Sequence, residues 1–247
     1  RSQAWELIQA GRVTLNDAIE KNPERSVALG RDRIAVDGEP VARQEKVYLM
    51  LNKPRGLVTT ADDEHGRATV YECLAGFESP PVAPVGRLDR ASEGLLLFTN
   101  DHAWAAHLTA PASHVEKTYH VQIDALADDA LLAKLEAGID SEGEHLAARR
   151  AKLLRHGEKT SWLEIILDEG RNRHIRRLLA AFGFEVMRLV RVAIGTLELG
   201  ALPKGSVRRL SQPEVTSLAP THARTHAGER EAQRPIRPCE KFHSRHR

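Results

Sequence analysis

Residues 47–54, VYLMLNKP, carry apolar side chains on both faces of an extended segment before Pro54 ends it. A strand apolar on both faces reads as a central strand, buried from both sides, so the chain is expected to build around a covered sheet. A second buried strand is expected over Leu95–Thr99, after the loop VGRLDRASEG. VEKTYHVQID alternates Val115, Lys117, Tyr119, Val121 and Ile123 against Glu116, Thr118, His120 and Gln122, a period of two. LAARRAKLLRH, TSWLEIILDEG and FEVMRLVRVAIGTLEL supply further strands, and Leu202–Val215 a closing turn and cap. Helices are expected over HAWAAHLTA, over DALLAKLEAGI with Asp128 as its cap, and over RHIRRLLAAFG opened by Asn172. In the last of these Ile175, Leu178, Leu179 and Phe182 make an apolar stripe. Many strands with a few interspersed helices predict an α+β fold with a mainly antiparallel or mixed sheet.

The length of 247 residues suits a medium domain with a small satellite. Three segments are expected: residues 1–45, 46–215 and 216–247. In the first, SQAWELIQA reads as a helix with Trp5, Leu7 and Ile8 on its inner side. Strand-like RVTLN and DRIAVDG follow, the latter ending in an Asp37-Gly38 turn. One short helix does not close a core, so the chain is expected to begin inside a domain. The stretch from Thr216 holds seven Arg and Lys against three Glu, a net +4 that leaves −2 for residues 1–215. With almost nothing apolar to bury, it is expected to be disordered, either a basic arm for a polyanion or a solvated extension.

No apolar run approaches the roughly 20 residues of a membrane span, and no secretory leader is visible. Cys73 and Cys239 stand 166 positions apart and form no CxxC pair. These features argue against a disulfide framework and a cysteine zinc site, and make a reducing cytoplasm the default. No HExxH or paired Cys/His spacing points to a metal.

Two segments could carry chemistry. In GRLDRASEG, Asp89 lies between Arg87 and Arg90 in a glycine-bounded loop at the lip of a buried strand. Either arginine would hold the carboxylate ionised, and an ionised, partly desolvated Asp serves as nucleophile or base. On spacing alone, a structural ion pair that staples the loop to the sheet is the favoured reading. In residues 171–191, Arg171, Arg173, Arg176, Arg177, Arg188 and Arg191 face one acid, Glu185. Planar guanidinium suits phosphate and base recognition, so this reads as a nucleic-acid patch rather than a solvated face. Tyr119 is either a core tyrosine with its hydroxyl at the rim or an aromatic plate against a base.

LNKPRGLVTT, GRLDRASEGLLLFTND, EKTYHV and EGRNRHIRR, in that order, resemble the ribosomal pseudouridine synthases of the small-subunit-enzyme type over about residues 46–215. AGRVTLN and DRIAVDGEPV resemble the back half of an S-four-like RNA-binding domain. The resemblance implies that Asp89 is the catalytic aspartate, that Tyr119 packs against the target base, and that Arg176 ion-pairs with the aspartate. It places the leucines of LLLF and Leu178 along the same cleft, and His174 where many relatives carry Gln. With His174, the arginines 87, 90, 171, 173, 177, 188 and 191 would contact RNA. It further implies ribosomal RNA as partner, no cofactor and no metal. Large-subunit (23S) RNA is expected over small-subunit RNA, because GRLDRASEGLLLFTND and TSWLEIILDEGRNRHIRR look closer to those relatives. A monomer is the simplest expectation. The competing classes are a non-catalytic ribosome-assembly protein, for which Asp89 is immaterial, and a nucleoside-directed glycosidase releasing free uracil. The isomerase requires Asp89, Tyr119 and Arg176 to meet in one cleft.

Overall fold

A computed structural model describes residues 2–28, 31–41, 44–61, 63–141 and 143–220. The chain divides into two compact units after Glu45. In the first, helix α1 (Ser2–Gln9) precedes four short strands, β1 (Val13–Leu15), β2 (Ala18–Ile19), β3 (Ile34–Val36) and β4 (Glu39–Pro40), paired in the order β2-β1-β3-β4. Asp37 and Gly38, both at positive φ, make the two-residue turn between β3 and β4. Leu7 and Ile8 are half-buried, but Trp5 is 54 % exposed rather than turned inward. The reason is size: among the described residues of this unit no side chain is fully buried, so there is no core for Trp5 to enter.

The second unit is α+β. Its elements are β5 (Tyr48–Lys53), a 3-10 turn (Val70–Leu74), β6 (Ala83–Val85), β7 (Glu93–Thr99), α2 (His102–Thr109), β8 (Lys117–Ile123) and α3 (Asp129–Ala137). There follow β9 (Ile139–Ser141), β10 (Glu144–Leu146), β11 (Arg150–His156), β12 (Ser161–Leu167), α4 (His174–Ala181), β13 (Val186–Ile194), β14 (Leu197–Glu198), β15 (Val207–Arg209) and α5 (Gln212–Ser217). One sheet runs β11-β12-β8-β13-β7-β5-β15, with β14 beside β13 and β6 beside β7; β9 and β10 pair separately. Every pairing in the large sheet is antiparallel except β7 with β13, so it is mixed.

As their composition requires, β5 and β7 are buried on both faces. Leu49, Leu51, Leu96 and Phe98 enter one core with β8, β12, α3 and α4, while Met50, Leu95 and Leu97 enter another with Trp104, Leu108 and Val215. The parallel seam matches Val190 with Glu93 and Arg191 with Gly94. Gly94 sits at φ +101°, and a Cβ there would lie 2.2 Å from the Arg191 carbonyl oxygen, so only glycine lets the strands close.

Asp128 caps α3, accepting from the Leu131 N–H at 2.8 Å, as expected. Three boundaries differ from expectation. Strand β7 begins at Glu93, two residues early, because Glu93 pairs with β13 and its buried carboxylate is held by Arg188 (2.8 Å) and Lys204. Helix α4 is entered through Arg173, in a left-handed conformation (φ +50°), not through Asn172. Residues 216–220 belong to the folded unit: α5 continues to Ser217 and Leu218 is buried against the second core. The expected disorder of the remaining tail concerns residues 221–247, outside the described residues. Among the described residues no helix is long and apolar enough to cross a membrane.

Candidate active site

Asp89 lies between β6 and β7, half-exposed above the buried Leu88. Its loop is held from below by Lys53, the last residue of β5, whose side chain is completely buried. The Lys53 Nζ donates to the carbonyls of Pro54 (3.1 Å), Asp89 (3.2 Å) and Ser92 (2.9 Å), so all three ammonium protons are used. Burial pulls its pKa down to about 8, opposed by the charges of Asp89 and Glu93. Thr59 Oγ1 donates to the Leu88 carbonyl (2.8 Å), and Arg90 Nε to the Gly56 carbonyl (3.1 Å). The carboxylate therefore projects from a backbone pinned at several points.

The other wall comes from across the seam. The left-handed turn at Arg173 brings its Nη1 to 3.9 Å from Asp89 Oδ2. Such a conformation is costly for a side chain with a Cβ and is concentrated at functional sites. Arg176, one turn into α4, donates to the carbonyls of Val186 (3.0 Å) and Ala91 (3.4 Å). Burial depresses its pKa, Arg173 adds to that, and Asp89 opposes it. The expected ion pair of Arg176 with Asp89 is thus corrected: Arg173 stands at ion-pair distance, while backbone carbonyls hold Arg176 and it feels Asp89 only through its field.

Asp89, Tyr119 and Arg176 do meet. They line one small cavity of about 80 Å³, together with apolar Leu88, Leu167, Ile175 and Leu189. Tyr119 is 9 % exposed and belongs to the core, with its ring forming part of the cavity wall. Arg87, Leu88 and Asp89 also border an open cleft of about 410 Å³ that runs over Thr59, Asp63, Arg67, Arg90 and Asn172. Asp89 stands at the junction of a tight slot, with aliphatic and charged walls, and a wide polar groove.

The leucines of LLLF and Leu178 do not line the slot. Leu95, Leu96, Leu97 and Leu178 are wholly inside the two cores, because β7 is covered on both faces and Leu178 lies on the inner side of α4. Nor do the six arginines form one patch. Arg171 pairs with Glu169 (2.9 Å) and donates to the His145 carbonyl, Arg177 pairs with Glu144 (2.7 Å), and Arg188 pairs with Glu93. Arg191 is 5 % exposed, and His174 is buried, with burial pushing its pKa below the usual histidine value. The balancing acids Glu93, Glu144 and Glu169 lie outside residues 171–191, so counting charge along the chain overstated the local field. Arg87 and Arg90 remain open to solvent at the groove, and Arg173 is exposed beside the slot.

Sequence reasoning passed over Lys53 and Lys117. A lysine closing an otherwise apolar strand was the available signal for Lys53; for Lys117 it was a cation on the same strand face as Tyr119. Among the described residues no group of three or more His, Cys, Asp or Glu gathers to hold a metal ion.

Residues 47–181, spanning both walls of the slot, match the RNA pseudouridylate synthase family. The "Ribosomal large subunit pseudouridine synthase B" of Bacillus subtilis is 39 % identical over 220 residues, 88 % of this chain and 89 % of that protein. The protein of the same name from Escherichia coli O157:H7 is 34 % identical over 88 % of this chain and 77 % of its own length. A crystal structure described as a pseudouridylate synthase superimposes with a TM-score of 0.62 at 33 % identity, covering 88 % of this chain and 93 % of that one. The chain belongs to the RNA pseudouridine synthase family.

Proposed function

We propose that this enzyme converts one uridine of large-subunit ribosomal RNA to pseudouridine, with Asp89 acting at the sugar. The observation that carries the reading is the placement of Asp89: a half-exposed carboxylate on a pinned loop, where a slot walled by Tyr119 and Arg173 meets a groove bordered by Arg87 and Arg90. The names of the Bacillus and Escherichia relatives support the choice of large-subunit RNA.

The reaction breaks the bond between ribose C1′ and uracil N1, turns the base, and joins C5 to C1′. The proton on C5 leaves and N1 gains one, so composition is unchanged and no donor or oxidant is consumed. An ionised carboxylate at the sugar serves either attack on C1′ or removal of the 2′ proton. Tyr119, Leu88 and Ile175 give the detached uracil flat apolar walls, while Arg173 and Arg176 set the field around Asp89. Reaching the slot requires the nucleotide to leave its stack, at a cost of a few kcal/mol. Arginine–phosphate contacts along the groove offset that cost and make binding salt-dependent. The first unit, with its S-four-like sequence, adds a further RNA-contacting surface in this reading.

Mapping pseudouridines in ribosomal RNA from cells with and without the gene tests the proposal. One large-subunit position should lose its modification, regain it with the wild-type gene, and stay unmodified with Asp89→Asn. Purified Asp89→Asn should lose about 10⁴-fold or more in turnover while binding RNA within about three-fold of wild type. Retained turnover would remove Asp89 from the chemistry, and release of free uracil would point to a glycosidase.

A further inference from the structure

A second cavity, of about 170 Å³, shares Arg87, Tyr119, Gly170 and Arg171 with the Asp89 slot. Its lining contains four cations, Arg87, Lys117, Arg171 and Arg191, and no carboxylate. Arg191 is the unusual member. Its Nε donates to the Leu95 carbonyl (2.7 Å), but its Nη2 is buried with no hydrogen-bond partner among the described residues. A guanidinium 95 % removed from water and short of a partner is unfavourable unless an anion completes it. Lys117 aggravates the imbalance: burial and repulsion from Arg191 both push its pKa down. Asp168 opposes that shift, yet Asp168 is already paired with Arg149 (3.2 Å). Arg171 is partly committed to Glu169, and no partner of Arg87 is found among the described residues. The cavity thus sets a buried guanidinium and a half-buried ammonium beside the exposed Arg87, with no carboxylate in its lining to neutralise them.

We infer that this cavity is a phosphate-binding site in which Arg191 and Lys117, assisted by Arg87, receive a phosphate group beside the Asp89 slot. A forked guanidinium and an ammonium are complementary to the several acceptor oxygens of phosphate. The apolar floor of Val85, Leu108 and Ile194 leaves space for one small anion and nothing to compete with it. Phosphate as the ligand follows from the lining; its origin in the RNA backbone, one linkage from the target uridine, rests on the proposed function. Fixing that linkage would hold the flipped nucleotide in register with Asp89.

The test uses the whole chain, wild type and Lys117→Gln, with Lys117→Met as a second neutral variant should the first fold poorly. Inorganic phosphate should raise the melting temperature of wild type above matched chloride, and the variant should lose that increment. Phosphate-ethylation interference on the ribosomal transcript should show one linkage whose ethylation weakens wild-type binding about ten-fold and leaves Lys117→Gln indifferent. The slope of log affinity against log salt should fall by about 0.7–0.9 in the variant. A purely structural role for Lys117 would lower the melting temperature equally with and without phosphate. Coupling to one linkage identifies the RNA backbone, whereas a phosphate-specific increment without it identifies a free phosphate species; both support the site. No phosphate-specific stabilisation of wild type together with no coupled linkage overturns it. If no ribosomal RNA is modified while the phosphate increment persists, the rRNA assignment fails and the phosphate site stands.

Discussion

Tyr119 borders two cavities that differ in one respect above all: one contains a carboxylate and the other does not. In the Asp89 slot, Arg173 lies near an acid, and Arg176, although its Nε is also buried without a partner among the described residues, is met by two backbone carbonyls and feels the charge of Asp89. In the neighbouring cavity, Arg191 and Lys117 face each other's positive charge with one guanidinium nitrogen unpartnered. An arginine beside an acid has its counter-charge within the protein, whereas arginine and lysine without one are complementary to an anion from outside. The division fits the proposed reading, in which a sugar lies near the carboxylate and a phosphate near the cations.

Four substitutions separate the two cavities or remove what joins them. The largest expected effect is Gly94→Ala. Its methyl group would meet the Arg191 backbone at 2.2 Å across the parallel seam, and glycine's φ of +101° is strained for alanine. A loss of about 4 kcal/mol or more is expected in denaturant unfolding, and both cavities should fail together. Near-normal stability would mean the seam is more pliable than its register implies.

Lys53→Met strikes one side only. Three carbonyls lose their shared donor, which should cost about 3 kcal/mol and lower kcat roughly ten-fold, with phosphate binding at the second cavity unchanged. The pH dependence is distinctive. The Lys53 pKa is about 8 when folded against about 10.4 unfolded, so between these values the unfolded chain binds more protons. Wild-type stability relative to Lys53→Met should therefore rise from pH 8 to 10; a flat difference would contradict the burial of a charged amine.

Glu93→Gln probes the seam from its acidic side. Arg188 and Lys204 are themselves about half exposed, so the expected cost is about 1–2 kcal/mol. Hydrogen bonding to Arg188 holds the Glu93 pKa at about 2, against about 4.3 unfolded. Its contribution is present above the unfolded value and lost as pH falls toward 2, so wild type and variant should converge over that window in thermal melts. The smallest effect is expected for Arg90→Ala, an exposed residue at the groove. It should weaken RNA binding about three-fold and make the salt dependence slightly shallower, with melting temperature nearly unchanged.

Local pattern made much of this legible. The double-sided apolar runs of β5 and β7, the period-two alternation of β8 and the Asp128 cap each reflect forces between residues close in sequence, and each appears where expected. The apolar stripe of α4 also predicted that Ile175, Leu178 and Leu179 face inward. The fate of the arginines was not legible. Which acid meets Arg177 or Arg188 depends on β10 and β7 lying beside them, and chain order does not encode that adjacency.

An α+β body built on buried strands, with Asp89 on a glycine-bounded loop at a strand lip, follows from the order of residues, because periodicity and turn chemistry act over a few positions. Folding in three dimensions is what sets Arg173 rather than Arg176 at ion-pair distance from Asp89, pins the loop from beneath with Lys53, and buries Arg191 short of a partner. Those outcomes depend on where β7 and β13 meet, and charges separated by a hundred residues interact only once the sheet has brought them within a few ångströms.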